Sequence, residues 1–69
     1  MSYLVLAKYK GSFGKWEVVA TYEGITVEEA QEKLCAIYDR NKGFAAFEGL
    51  EMKLHEGNFI ETGLGVGSL

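Results

Sequence analysis

Few side chains in this sequence are of the kinds that do covalent or acid–base chemistry, and their spacing is uninviting. Cys35 and His55 are the only thiol and the only imidazole, and as a pair they would make a nucleophile and its base. Cys35 falls at the edge of an apolar helical stripe, where a cysteine behaves as a small hydrophobe. His55 falls on the polar face of an alternating strand, with no third group to orient it. The carboxylates need a pocket for acid–base work, and one helix on a small sheet rarely forms one. No enzyme is expected, and no catalytic residue is assigned. One cysteine forbids a disulfide within the chain, and the lone imidazole has no Cys or His neighbour at ligand spacing. No metal or other cofactor is expected either.

Two glycine-rich stretches invite a phosphate-binding reading. KYKGSFGKWEVV, residues 8–19, places a lysine after paired glycines. A phosphate loop needs four residues between its glycines and a helix behind it, whereas GSFGK has two and runs into a strand. Without a helix N-terminus no dipole faces the anion. GLGVG near the end is close to the glycine spacing of a dinucleotide loop, but no helix or βαβ unit follows it. The first stretch reads as a hairpin turn whose tip offers Phe13, Lys15 and Trp16 as contact residues, because aromatic and cationic groups on a projecting turn are effective anchors. A second contact group is the acidic flank Glu28, Glu32 and Asp39, at spacings of four and seven, which suits a basic target surface. Glu29 has Lys33 at i+4 and is expected to be neutralised by it.

The elements that must hold these residues are legible in outline. Tyr3 to Lys10 and Trp16 to Glu23 are rich in aromatic and β-branched residues and read as an antiparallel pair. Thr26 with Glu29 forms a capping box ahead of a helix over about residues 27–41, with Val27, Ala30, Leu34, Ile37 and Tyr38 on one face and Gly43 as a left-handed stop. Phe44 to Phe47 is an apolar connection or the start of a strand. Leu50, Met52 and Leu54 alternate with polar residues as a half-buried strand. Glu56-Gly57-Asn58 turns the chain, and Phe59 to Thr62 returns as a short edge strand. The expected fold is α+β, ββαβ(β), an antiparallel sheet with one helix packed on one face. Residues 1–62 form the domain, and residues 63–69 a flexible glycine-rich tail.

The first two strands alternate poorly, with apolar or aromatic residues on both faces. One helix covers one face only, so the tail or a second chain must cover the other, and a homodimer through that face is one expectation.

Composition narrows the function classes. Of the 69 residues 48% are hydrophobic and 25% charged, which suits a folded domain. The net charge of −3 hides three lysines against Glu17 in residues 1–22, then four basic against nine acidic side chains in residues 23–69. That distribution disfavours direct nucleic-acid binding, which uses a broad basic surface. No apolar run approaches the roughly 18 residues of a membrane span, and the start lacks the features of a signal peptide. A cytoplasmic location is expected, and the single thiol suits a reducing compartment.

The strand–TVEEAQEKL helix–strand core, residues 16–55, resembles in architecture the small acidic inhibitors encoded by bacteriophages, including anti-CRISPR proteins and inhibitors of host RNA polymerase. The resemblance implies a cytoplasmic protein that occludes a host protein's surface without catalysis. On this reading Trp16→Ala weakens partner binding and leaves the thermal midpoint nearly unchanged. The alternative is a small homo-oligomeric assembly protein.

Overall fold

The computed structural model describes residues 1–58 and 63–66. Its elements run β1 (Ser2–Lys8), a 3-10 turn (Lys10–Ser12), β2 (Glu17–Glu23), α1 (Val27–Asn41), a second 3-10 turn (Ala45–Phe47) and β3 (Glu51–Glu56). This is the small α+β fold expected, in ββαβ order. Phe44 to Phe47 is the apolar connection and not a strand start, since it coils into the second turn. The returning strand expected at Phe59 to Thr62 lies outside the described residues, as do residues 67–69 of the tail.

The sheet order is β2-β1-β3, antiparallel throughout. β1 takes the centre because it is apolar along nearly its whole length on both faces, and a central strand is where both can be covered. Leu4 and Val5 point to opposite sides, yet they are 1% and 0% exposed. Burying side chains of this size contributes roughly 1.5–3 kcal/mol each. β3 alternates exposed and half-buried residues, as suits an edge.

The poor alternation of β2 has a local cause. Val5 pairs with Ala20 but Leu6 pairs with Val18, so Val19 is an extra residue in a β-bulge. The bulge shifts the period by one. Tyr22 and Ala20 therefore share a face with Tyr3 and Val5, while Val18 joins Leu4 and Leu6 on the other.

α1 lies over the Tyr3–Val5–Ala7 face, where Lys33 places its ammonium 5.2 Å from the Tyr22 ring centre. Its capping box forms as expected: Thr26 Oγ1 accepts from Glu29 N–H, and Glu29 Oε1 accepts from Thr26 N–H, both at 3.2 Å. The buried residues are Ala30, Ile37 and Asn41, with Leu34 half-buried, whereas Val27 and Tyr38 are exposed. Gly43 does not adopt the left-handed conformation expected of it. The last turn is closed instead by the Asn41 side chain, which donates to Ile37 O at 2.8 Å, and by Phe44 N–H to Asn41 O at 3.1 Å.

The opposite face is closed by the chain itself. Leu4, Leu6 and Val18 form a buried cluster, and Trp16 and Leu64 pack on it. Gly65 O accepts from Val18 N–H at 2.9 Å, and Val66 bridges Val18 in parallel at the outer edge of β2. The apolar face that motivated a homodimer is thus covered at its centre by Trp16 and the tail.

A two-turn aromatic end as the candidate contact site

The loop from β1 to β2 is a built object rather than a slack turn. Ser12 is buried, and its hydroxyl accepts from Tyr9 N–H at 3.1 Å. The same oxygen lies 2.8 Å from both Tyr9 O and Lys15 O, which share its one hydrogen. Backbone bonds from Phe13 to Lys10 and from Lys15 to Ser12 close the turn around it. Gly11 packs tightly there, since a Cβ would lie 3.0 Å from the edge of the Tyr9 ring.

The second 3-10 turn braces the first. Lys10 N–H donates to Glu48 O at 2.9 Å, and the Tyr9 and Phe47 rings meet edge to face at 5.2 Å. Lys10 and Glu48 add an exposed ion pair at 3.5 Å, worth little by itself.

From this braced base Phe13 projects into solvent, 90% exposed, at φ 57° and ψ 37°. A left-handed conformation costs a non-glycine L-residue about 1–2 kcal/mol. Phe44, which opens the second turn, is 59% exposed at the same end. Sequence reading missed Phe44, and its one signal is an aromatic directly after the glycine that follows the helix. Two exposed aromatics on abutting turns are not a core that failed to close, because Tyr9 and Phe47 fill the space between the turns.

The other expected contact residues are separated by the fold. Lys15 is exposed beside Phe13. Trp16 is half-buried against the Leu4–Leu6–Val18 cluster, with Lys53 and Lys8 ammoniums 4.3 and 5.0 Å from its ring. It is a structural lid, which does not fit the expectation that its removal would spare stability. Glu28, Glu32 and Asp39 are all exposed on α1, and Asp39 has an exposed ion pair with Lys42 at 3.2 Å. Glu29 turns back to the cap and not to Lys33.

Charge divides along the strands. Among the described residues, the half with the two turns holds six cationic and four anionic side chains, with Lys10, Lys15 and Lys42 among the cations. The half with the helix N-terminus holds Glu23, Glu28, Glu29, Glu32 and Glu56 against Lys33, among the described residues. The molecule is therefore bipolar. Cys35 is exposed on α1, while His55 pairs with Leu4 and shares its face, on the far side of the sheet from the helix. Among the described residues no group of three or more His, Cys, Asp or Glu is placed to hold a metal ion, and no helix is long and apolar enough to cross a membrane.

Comparison with protein-family models, with curated proteins and with solved structures finds no match to this chain. Function therefore rests on the geometry of the two-turn end.

Proposed function

We propose that this protein is a non-enzymatic, cytoplasmic binding protein, encoded by a phage or other mobile element, that inhibits a host protein by occupying its surface. The observation that carries the reading is Phe13: a large aromatic held 90% exposed in a left-handed conformation by a loop with a buried hydrogen-bonded centre. Backbone strain that the surroundings enforce is concentrated at functional sites, and here it serves to present an anchor. Lys15 beside it and the bipolar charge orient the approach, while Glu28 and Glu32 offer a second, acidic contact.

Phe13→Asn separates binding from folding. Asn tolerates the left-handed region better than any aromatic and adds no glycine entropy to the unfolded chain. The variant melts no lower than the parent, with a gain of up to about 1 kcal/mol from relieved strain. Immobilised wild-type protein retains one stoichiometric bacterial protein that survives nuclease, and Phe13→Asn releases most of it. Equal recovery on both baits, or none on the wild type, overturns the proposal.

A further inference from the structure

The end of the sheet opposite the two turns carries a shallow cavity of about 220 Å³, with Tyr3, Thr21, Tyr22 and Glu23 among its lining residues. We propose that this cavity receives the Phe13 side chain of a second copy, so that the chain associates head to tail. Three observations converge. Ser2, Leu4, Thr21 and Glu23 line the cavity on the face away from the helix, and its volume exceeds that of a closed apolar cavity of about 150 Å³ that admits a benzene ring. Its rim carries Glu23, where the approaching turn carries Lys15 next to Phe13. The two halves of the molecule bear opposite net charge, so an end-to-end approach is attractive and a side-by-side approach of like ends is not.

Donor turn and acceptor cavity lie on different surfaces of one chain, which makes the contact heterologous. Such a contact leaves a free turn at one end and a free cavity at the other, and growth continues as an open chain unless the rotation closes a ring. The inference shares Phe13 with the proposed inhibitor but needs no foreign partner. Self-association would hold the anchor in reserve and release it on dilution.

Sedimentation velocity on the purified protein tests this from about 10 μM to about 1 mM, at about 0.02 M and about 0.5 M sodium chloride. The expected result is a weight-average mass that rises with concentration above the 7.6 kDa monomer at low salt and falls back at high salt. Phe13→Asn and Glu23→Lys each weaken the association about tenfold or more, and combining Glu23→Lys with Lys15→Glu restores part of it. All three altered side chains are exposed, and circular dichroism at each concentration verifies the fold. A mass fixed at the monomer throughout, a closed dimer that does not grow, or growth unchanged by Phe13→Asn overturns the proposal. Loss of the foreign partner with association intact would refute the inhibitor alone.

Discussion

Phe13 and Trp16 sit three residues apart and look interchangeable as aromatic anchors, but the fold gives them opposite tasks. Phe13 is held out by Ser12, whose buried hydroxyl ties both ends of the turn. Trp16 is folded down on Leu4, Leu6 and Val18, where its ring also takes two lysine ammoniums. Full truncation of a buried tryptophan costs about 3–5 kcal/mol, so the half-buried Trp16 loses about 2 kcal/mol on replacement by alanine. For a domain of this size that lowers the melting midpoint by about 10 °C, measurable by circular dichroism. An unchanged midpoint would return Trp16 to the contact group. No local pattern separates the two residues, because burial of Trp16 depends on β3 and the tail arriving beneath it.

At the level of elements, both ends of α1 were readable in position, but only the start was readable in its chemistry. The Thr26–Glu29 box uses only residues within one turn, and its hydrogen bonds form in any context that admits a helix. Thr26→Ala should cost about 1 kcal/mol, seen as a lower urea midpoint with an unchanged slope. A loss below a few tenths would mean that the helix is held by packing alone. The C-terminus is different. Asn41 is drawn into the core side of α1, where its amide satisfies Ile37 O, and Gly43 is left without the role that glycines commonly take there. β2 shows the same limit. Its mixed pattern registered a departure from alternation, but only pairing with β1 reveals a bulge at Val19.

For the whole molecule, the question is how a sheet with one helix hides both faces of its central strand. The answer is the tail: Leu64 packs on the Leu4–Leu6–Val18 cluster, and Gly65 accepts the outward N–H of Val18. Leu64→Ala should destabilise by about 1–2 kcal/mol, less than a fully buried leucine because Leu64 is half-buried. Hydrogen exchange locates the effect: the Val18 amide loses protection while β1 amides fall only with global stability. Undiminished protection at Val18 would show that the tail adds nothing to the edge of β2. The total stability of such a small domain is on the order of 3–10 kcal/mol, so this one contact matters.

Local order was in the sequence: two strands, a capped helix of 15 residues and a third alternating strand, each set by side-chain period, capping chemistry and turn residues within a few positions. The place of the third strand beside β1, the side that the helix covers, the fate of Trp16 and the closure of the second face came only with the tertiary structure. Those depend on contacts between segments far apart in the chain, such as Val18 with Gly65 or Lys10 with Glu48, and no short window contains both partners. Phe13 belongs to both classes. Its place at the tip of a turn follows from the glycines on either side, but its rigid presentation exists only because two distant turns brace each other.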